Sequence, residues 1–402
     1  MVKSYDVLVA GAGPAGAAAA AVLAGRGLSV ALVDRAAHPR SKLCGGLLTA
    51  KTMEALERVF GLGEADLAER GGLFHSTPEY EFLHQGRRLL AGTAAENFRF
   101  VDRPALDALL SGIAVARGAE YLPGLAVESC DPAAGVLRLR GGGELSGRFI
   151  IGADGANSVT RRALGVDRAV FREQWARNLA VAIEVELRVG QEPGEFPRAV
   201  RVPELHVGAP HVPAAGYGWV FPGPNGVKVG ICGLRRYERA GRDFGAIFVD
   251  YLRLLGVAEP EGVALRGHPL PYGNALANPC SGRLILAGDA GGFVEPLFGE
   301  GIFYALATGA HAASAVLLGL RAGGAAARGE YARLLSRTVR PELVWSDRLR
   351  WLLFAAMRHL GARPIRGFVK SAPAALAGMV HGRRSFRLLL KKEWEWGEGL
   401  RG

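Results

Sequence analysis

Short apolar segments separated by glycine-rich turns open the chain. Residues 5–10 predict a buried strand, residues 14–26 a helix of small side chains, and residues 28–34 a second buried strand. Residues 104–116 predict a helix with proline in its first turn, and residues 148–153 predict another short apolar strand. The initial order of strand, helix and strand indicates a β-α-β unit, which is typical of an α/β domain.

Apolar and polar residues alternate through the middle of the chain. This alternation predicts half-buried strands at residues 179–189 and 227–233, and a short strand at residues 284–287 runs directly into Gly288. From about residue 300 onward the spacing of apolar residues becomes helical. The pattern therefore predicts an α/β domain interrupted by a β-sheet-rich domain and followed by a helical C-terminal segment.

Composition narrows the class of protein further. The 402 residues, of which 49% are hydrophobic and 22% charged, suffice for two or three globular domains. Four cysteines lie far apart, and no Cys/His cluster has the spacing of metal ligands, so we expect a cytoplasmic protein without a metal. Glycines and Pro14 interrupt the apolar stretch 7–24, which favours a strand, turn and helix over a signal peptide or membrane span.

The first chemical motif is GAGPAG at residues 11–16, between the first predicted strand and helix. In such a fingerprint Gly11 makes a tight turn, Gly13 allows the close approach of a pyrophosphate, and Gly16 lets the helix pack on the strand. The helix N-terminus offers free N–H groups to the phosphates. Asp34 ends the next strand, where a carboxylate can bind a ribose hydroxyl. The alternative is an ordinary glycine turn with a surface carboxylate.

Two later turns carry carboxylates at strand ends. Asp154 follows the strand at residues 148–153, and taken alone this segment is equally typical of a plain β-turn. Gly288 and Asp289 follow the strand at residues 284–287, and the turn 299–302 precedes a long helix. An aspartate there can accept hydrogen bonds from a polyol, and the N–H groups of the turn can face a negatively charged ring edge.

The three motifs at these separations resemble the FAD-dependent oxidoreductases of the glutathione-reductase-like class, in the branch that contains p-hydroxybenzoate hydroxylase. The resemblance implies a Rossmann-like FAD-binding domain of residues 1–72, 98–165 and 278–322, a substrate-binding β-sheet domain of residues 73–97 and 166–277, and a basic helical C-terminal segment, residues 323–402. It implies FAD contacts at Gly11, Gly13, Ala15, Gly16, Asp34, Arg35, Cys44, Gly45, Arg103, Leu125, Ala126, Asp154, Gly288, Asp289, Gly299, Gly301 and Ile302.

Two further motifs narrow the resemblance. KLCGG at residues 42–46 and YGWVFP at residues 217–222 are similar to motifs of the geranylgeranyl reductase family, and the resemblance covers residues 1 to about 320. The family includes archaeal lipid reductases, chlorophyll-pathway reductases and bacterial menaquinone-tail reductases. The resemblance implies flavin-dependent reduction of carbon–carbon double bonds in a polyprenyl chain of a lipid, a prenyl diphosphate or an isoprenoid quinone.

These motifs also supply candidate substrate and catalytic residues. Tyr217, Trp219 and Phe221 share one face of a predicted strand, and with Pro222 they predict an apolar substrate wall; a plain core stripe is the alternative. The resemblance places Cys44 beside the flavin, where its thiol is a candidate proton donor. A bound water is the other candidate, and a small buried side chain without chemistry is the structural alternative.

Other activities share the same fold. The second hypothesis is an FAD-dependent monooxygenase or halogenase that acts on an aromatic substrate. A halogenase of this fold needs a catalytic lysine between the FAD fingerprint and its aromatic motif. Lys42 and Lys51 lie too close to the fingerprint, and no lysine occurs from residue 52 to 227. A third hypothesis is a peripheral lipid-binding or quinone-handling module in which FAD has only a structural role.

The C-terminal segment is basic and rich in tryptophan. Residues 321–402 contain 17 basic and 6 acidic residues and therefore carry the whole net charge of +11, together with four of the six tryptophans. Such basic helices are typical of elements at the inner face of a membrane. A solvated packed face, a site for substrate phosphates and a docking site for an acidic electron donor are alternatives.

The electron donor is not specified by a motif. No second GxGxxG for a nicotinamide nucleotide is present, which leaves transiently bound NAD(P)H, ferredoxin or another protein as the electron donor. No nucleic-acid recognition fold is evident.

Overall fold

Two eight-stranded sheets form the frame of the molecule. The computed structural model describes residues 3–70, 72–165, 173, 175–234, 243–361, 363–371, 373–387, 390–392, 394 and 396. The strands within these residues are β1 (Lys3–Ala10), β2 (Val30–Asp34), β3 (Leu47–Leu48), β4 (Leu73–His84), β5 (Arg87–Val101), β6 (Glu120–Pro123), β7 (Val127–Asp131), β8 (Val136–Leu139), β9 (Glu144–Gly152), β10 (Leu179–Leu187), β11 (Glu204–Val207), β12 (Gly216–Gly223), β13 (Gly226–Leu234), β14 (Arg266–Pro271), β15 (Cys280–Ser281) and β16 (Leu284–Leu286).

Helices cover the sheets and extend the C-terminal segment. In chain order the α-helices of the described residues are α1 (Pro14–Ala24), α2 (Ala50–Phe60), α3 (Glu64–Glu69), α4 (Arg103–Ala116), α5 (Phe244–Leu254), α6 (Ile302–Ala322), α7 (Gly324–Leu334), α8 (Arg340–Leu360), α9 (Arg363–Ser371) and α10 (Pro373–Val380). A π-helical turn at Leu335–Val339 joins α7 to α8. The helical C-terminal segment predicted from the sequence is therefore present.

The first sheet is the α/β part of the fold. Its strand order is β15-β16-β9-β1-β2-β6, with β16, β9, β1, β2 and β6 parallel. These strands read as continuous apolar runs because both faces of a parallel sheet are covered. All eleven residues of α1 are buried, and α1 packs against α6 through small side chains. This packing fixes the glycine turn 11–16 at the ends of the strands.

The second sheet separates two environments by the alternation of its side chains. Its order is β14-β10-β13-β12-β11-β4-β5-β3, and its pairs are antiparallel apart from β11 with β4. One face packs against α5 through a core that includes Ile183, Val185 and Phe248. The other face, which includes Ala182, Trp219 and Cys232, packs against Leu43, just before the thiol-bearing turn at residues 44–46. β5 ends at Val101, a little beyond the boundary expected near residue 97.

The C-terminal helices complete the core. Leu353, Leu376 and Met379 pack against Tyr80 and Phe82 of the second sheet. In the described part of the chain, α6 is the one helix long and apolar enough to cross a membrane, and 89% of its apolar window is buried inside the protein. The α/β fold with an inserted β-sheet domain, predicted from the sequence, is confirmed.

Candidate active site

The glycine turn between β1 and α1 is fixed by close backbone packing. Gly11 has a φ of +101°, and a Cβ there would lie 2.3 Å from the carbonyl oxygen of Ala153. A Cβ at Gly16 would lie 1.7 Å from the carbonyl oxygen of Gly11. Both positions therefore require glycine. Gly13 is the N-cap of α1, so the first N–H groups of this helix have no intrahelical acceptor and can bind phosphate.

Asp34 connects the end of β2 to this glycine turn. Its Oδ2 accepts the N–H of Ala12 at 2.8 Å, and its Oδ1 accepts the N–H of Ala36 at 2.9 Å. The N–H of Leu125 donates to the carbonyl of Asp34 at 3.0 Å, which places Leu125 and the adjoining Ala126 beside the end of β2. Arg35 follows with an exposed side chain. These predicted residues lie close together, and a ribose contact of Asp34 stays a prediction.

The carboxylate of Asp154 is occupied within its own turn. Asp154 accepts hydrogen bonds from the hydroxyl groups of Ser158 and Thr160, both at 2.6 Å, and from the N–H groups of Val159 and Thr160 at 2.7 and 3.0 Å. The Cα of Asp154 also lies 3.0 Å from the position of a Cβ at Gly11. The backbone of Asp154, and not its carboxylate, therefore packs against the fingerprint.

Oppositely charged side chains meet between the two sheets. Burial raises the pKa of Asp289, and the cations Lys42 and Arg103 oppose this rise. Arg103 donates to both carboxylate oxygens of Asp107 at 2.9 and 3.1 Å. Burial lowers the pKa of Arg103, but Asp107 and the neighbouring Cys44 thiol raise it, and the rise prevails. A positive group thus lies beside Cys44.

Lys42 and His268 form a close pair at the same place. Their Nζ and Nε2 atoms are 2.5 Å apart. Burial lowers the pKa of Lys42, and burial together with the nearby cations lowers the pKa of His268 to about 4. His268 is therefore neutral near pH 7, and its Nε2 accepts a hydrogen bond from the Lys42 ammonium.

The turn 299–302 faces the YGWVFP motif. Gly299 has a φ of +71°, and a Cβ there would lie 2.7 Å from the hydroxyl of Tyr217. That hydroxyl donates to the carbonyl of Phe298, which links β12 to the turn. Gly301 is the N-cap of α6, which begins at Ile302. The first N–H groups of α6 therefore point out of this turn without intrahelical acceptors.

The residues present fit an FAD molecule. The N-termini of α1 and α6 offer N–H groups, and Asp289 supplies a carboxylate that lies near Gly301. The first and third motifs are in direct contact, because a Cβ at Gly288 would lie 3.0 Å from the Cβ of Ala15. In the part of the chain that the structure describes, no group of three His, Cys, Asp or Glu residues is arranged to hold a metal.

An apolar cavity of about 190 Å³ lies between the KLCGG motif and the turn 299–302. Three groups of residues line it: the two motifs and the turn; strands of the second sheet, with Tyr80, Phe82 and Leu205; and α10, with Leu376, Ala377 and Val380. The contribution of α10 was not foreseen, because the sequence does not indicate that this helix folds back over the second sheet.

The YGWVFP motif supplies the aromatic wall of the apolar cavity. Tyr217, Trp219 and Phe221 line it from one face of β12, and their contact with substrate stays a prediction. Pro222 was predicted with them, but it is absent from the described lining of the cavity because it falls on the opposite face of β12. Gly45 lies against this wall, since a Cβ there would be 2.8 Å from the Phe221 ring.

Cys44 lies at the border of the apolar cavity and is held by residues that the sequence did not reveal. Its N–H donates to Oε1 of Glu184 at 3.0 Å, and the indole N–H of Trp219 donates to Oε2 of Glu184 at 2.9 Å. Nζ of Lys228 donates to the carbonyl of Cys44 at 3.4 Å. One signal was available: Glu184 interrupts the apolar residues of β10 on the face that carries Ala182.

Comparisons with known proteins agree with this geometry. Residues 4–205 match the family described as FAD binding domain. The chain is 34% identical over 323 residues to the menaquinone reductase of Mycobacterium tuberculosis, covering 77% of this chain and 76% of that protein. It is 29% identical over 332 residues to the geranylgeranyl diphosphate reductase of Rhodobacter capsulatus, covering 79% and 76%. The chain belongs to the geranylgeranyl reductase family. FAD as the cofactor, predicted from the motifs, is confirmed.

Solved structures show the same fold for this member of the geranylgeranyl reductase family. A geranylgeranyl bacteriochlorophyll reductase-like protein from Thermoplasma acidophilum has a TM-score of 0.73 at 18% identity, covering 96% of this chain and 94% of that one. PqsL, a probable FAD-dependent monooxygenase from Pseudomonas aeruginosa, has a TM-score of 0.64 at 22% identity, covering 89% and 99%. At these identities the likeness concerns the fold alone.

Proposed function

We propose that this protein is an FAD-dependent reductase that saturates carbon–carbon double bonds in a polyprenyl chain of geranylgeranyl type. The apolar cavity beside the KLCGG motif and the turn 299–302 carries the proposal, because an isoprenoid chain offers no polar group along its length and binds best in an apolar slot. Relatives named as menaquinone and geranylgeranyl diphosphate reductases support it. When bound and reduced, FAD supplies the hydride equivalent.

The residues of the cavity exclude water and orient the alkene. An isolated trisubstituted alkene is electron-rich, so hydride delivery must be coupled to protonation of the other carbon. Tyr217, Trp219 and Phe221 form an apolar wall of the cavity in which the alkene would lie, and positive character develops on one alkene carbon as the proton is added. The wall keeps water from competing for that carbon, and the aromatic faces are favourable neighbours for a cationic centre.

Cys44 is the proton donor in this proposal. Saturation of one double bond takes up one hydride equivalent and one proton, and the Cys44 thiol borders the cavity in which the bond would lie. The thiol loses its proton to carbon and becomes a thiolate, which regains a proton from water. The guanidinium of Arg103 beside this thiol stabilises the thiolate in the interval.

An anaerobic single-turnover experiment tests the proposed activity. We expect dithionite-reduced protein to be reoxidised by geranylgeranyl diphosphate or by a menaquinone, with a gain of two hydrogens per saturated bond in the mass spectrum of the lipid. A flavin that stays reduced until oxygen is admitted, with no saturated product, would contradict the proposal for these substrates. Substrate-dependent consumption of oxygen would instead identify the monooxygenase that shares this fold.

A cysteine series tests the role of Cys44. Cys44→Ala is expected to lower the rate of substrate-dependent flavin reoxidation by about 100-fold or more, the usual loss when a general acid is removed, while the FAD content stays that of the wild type. Cys130→Ser is the matched control, since Cys130 is the other partly exposed thiol among the described residues. It lies in β7, outside both the KLCGG and the YGWVFP motifs. Equal rates for Cys44→Ala and wild type would leave water as the proton source.

Docking at an anionic membrane surface is proposed for the C-terminal segment. The exposed side of α8 carries Val344, Leu352 and Leu360, which are 47%, 68% and 56% exposed. Exposed basic residues, including Arg348 and Arg366, accompany them. Apolar side chains beside cations suit the boundary of an anionic bilayer, where each cation contributes about 1 kcal/mol. The same segment supplies α10 to the apolar cavity, so a lipid chain could reach the cavity from that surface.

Vesicle sedimentation tests this docking. We expect the protein to sediment with vesicles of phosphatidylglycerol and phosphatidylcholine at low salt, and to remain in solution with phosphatidylcholine alone. The double variant Arg348→Glu, Arg366→Glu is expected to lose this binding, whereas the control Arg87→Glu, Arg140→Glu, with exposed arginines outside the C-terminal segment, keeps it. Unchanged binding in the first variant, with a raised KM for a prenyl diphosphate, would assign these arginines to the substrate phosphates.

A further inference from the structure

Glu184 joins the two motifs that border the apolar cavity. One carboxylate oxygen accepts the N–H of Cys44 and the other accepts the indole N–H of Trp219, at 3.0 and 2.9 Å. Glu184 is only 7% exposed, so both hydrogen bonds to the charged group are shielded from water and strong. One side chain therefore fixes the thiol-bearing turn relative to the aromatic wall.

Trp219 can reach Glu184 because two glycines leave room for its ring. A Cβ at Gly230 would lie 2.1 Å from the Trp219 ring, and a Cβ at Gly45 would lie 3.7 Å from its Nε1. Gly230 lies opposite both Glu184 and Trp219 in the register of the sheet. The indole therefore lies across β13 and extends toward Glu184, and larger side chains at Gly230 would push it into the cavity.

Lys228 supplies the positive charge near this buried carboxylate. Lys228 is on β13, opposite Glu186 of β10 and two residues from Gly230, which lies opposite Glu184. Because side chains two residues apart on a strand point the same way, Lys228 and Glu184 share a face of the sheet. Lys228 is 7% exposed and donates to the carbonyl of Cys44 at 3.4 Å. The peptide groups on both sides of Cys44 are thus held by side chains of opposite charge.

A second cavity lies on the other side of Cys44. Its volume is about 630 Å³, and charged residues line it, among them Lys42 of the KLCGG motif, Arg103 of α4, and Glu184 and Lys228 of the second sheet. Cys44 lines this polar cavity as well as the apolar cavity. The turn that carries the thiol is therefore part of the wall between a polar compartment and an apolar one.

We propose that Glu184, paired with Lys228, is the positioning residue that holds Cys44 in the wall between the two cavities. In this position the thiol gives its proton to the prenyl chain on the apolar side, and the resulting thiolate takes a proton from water on the polar side. One solvent proton is thus consumed for each bond saturated. This inference rests on the proposed function, because it names the residue that sets the geometry of the proposed proton donor.

The ionised form of Glu184 is the form that holds both donors. A carboxylate accepts from Cys44 and Trp219 together, whereas a neutral acid or amide turns one donor toward one of them. Burial raises the pKa of Glu184, and Lys228, the Trp219 indole and the Cys44 N–H oppose the rise. The other charged groups that face it are Glu186 on β10, Arg266 opposite it on β14, and Lys42 of the KLCGG motif.

Glu184→Gln tests the inference by steady-state kinetics. We expect kcat to fall about tenfold or more, since one of two hydrogen bonds to a charged group is lost, with retained FAD. In wild type kcat falls as the pH drops through the raised pKa of Glu184, and this acid limb is absent in Glu184→Gln. Glu204→Gln is the matched control: Glu204 is a buried carboxylate of the same sheet, bonded to Arg198 and His206 and remote from Cys44. It is expected to keep the wild-type kcat and pH profile.

Two further measurements keep the test decisive if Glu184→Gln folds poorly. Lys228→Met removes the cation that lowers the pKa of Glu184, so the acid limb moves to higher pH. Alkylation of Cys44 by iodoacetamide, followed by mass spectrometry, needs no prenyl substrate. It is expected to be about tenfold faster in Glu184→Gln and Lys228→Met than in wild type, because the turn is released.

The outcomes separate this inference from the proposed function. If wild type reduces no prenyl substrate but the two variants still expose Cys44 to alkylation, the proposed function fails and the positioning role stands. If wild type is active, and Glu184→Gln and Lys228→Met have its kcat, pH profile and alkylation rate, Glu184 is not a positioning residue. Equal losses in Glu204→Gln would likewise overturn the inference, because they would show a general effect of removing a buried charge.

Discussion

The packing of Gly45 against the aromatic wall makes a single methyl group informative. A Cβ at this position would lie 2.8 Å from Cδ2 and 3.0 Å from Cε2 of Phe221, so Gly45→Ala forces the Phe221 ring to move within the cavity wall. We expect kcat/KM for a prenyl substrate to fall about tenfold, as overpacking by one methyl group typically costs 1–3 kcal/mol. Steady-state reduction of geranylgeranyl diphosphate measures the effect.

The control for this substitution is Gly112→Ala. Gly112 lies within α4, and a Cβ there would meet no atom within 4 Å. The added methyl group should raise the midpoint of thermal unfolding slightly, because alanine is favoured over glycine in a helix by about 1 kcal/mol, and should leave kcat/KM unchanged. Wild-type kcat/KM in Gly45→Ala would show that the Phe221 ring does not border the reacting chain.

Single residues could be predicted from the sequence where their signal is local. The FAD fingerprint could be predicted because its glycines and Asp34 follow from the order of strand, turn and helix within about 25 residues. Glu184 could not, because its partners Cys44 and Trp219 lie 140 and 35 residues away. The one local signal, a glutamate among the apolar residues of β10, is equally typical of a solvent-exposed face, so it does not by itself indicate burial or these partners.

Helix α10 supplies one wall of the apolar cavity. Ala377 lines the cavity and is 5% exposed. Ala377→Leu adds volume to this wall, so we expect kcat/KM to fall about tenfold for a geranylgeranyl substrate and less for a geranyl one. Competition between the two chain lengths, followed by mass spectrometry, measures the change in preference.

Met379→Leu is the matched control on the same helix. Met379 is 2% exposed and packs with the second sheet, outside the described lining of the cavity. Its replacement conserves volume and should leave the chain-length preference unchanged. An equal loss for both chain lengths in Ala377→Leu would mean that α10 affects stability and not the length of the slot.

Strands and helices could be predicted, whereas their long-range pairing could not. Alternation predicts β10 and β13, yet nothing local specifies that β10 pairs with both β13 and β14, or that β4 and β5 join the same sheet. Apolar spacing also predicts C-terminal helices. The contact of α10 with Tyr80 and Phe82 depends on tertiary packing. The motifs therefore did not predict that α10 lines the apolar cavity.

The C-terminal segment is hydrogen-bonded to the start of α2 and so connects distant parts of the molecule. Nδ1 of His381 accepts the N–H of Ala50 at 3.1 Å, and the carbonyl of His381 accepts the N–H of Lys51 at 3.1 Å. The His381 ring lies 4.5 Å from that of Phe98, between ring centroids. The same segment thus closes the apolar cavity and binds the α/β domain, so its attachment affects both stability and activity.

This attachment should weaken in acid. Burial lowers the pKa of His381 from 6.5 to about 4, so between these values the unfolded chain binds a proton that the folded protein excludes. The stabilisation is complete above pH 6.5 and is lost as the pH falls toward 4; for His381 it is on the order of 3 kcal/mol.

His381→Asn tests this dependence. Asparagine does not titrate in this range, and its side-chain oxygen can still accept the Ala50 N–H. We expect the thermal midpoint of this variant to fall less than that of wild type between pH 7 and pH 5, with His268 responsible for part of the remaining dependence. His359→Asn, at an exposed position of α8, is the control and should follow wild type; identical pH dependence in all three proteins would assign the acid sensitivity to other groups.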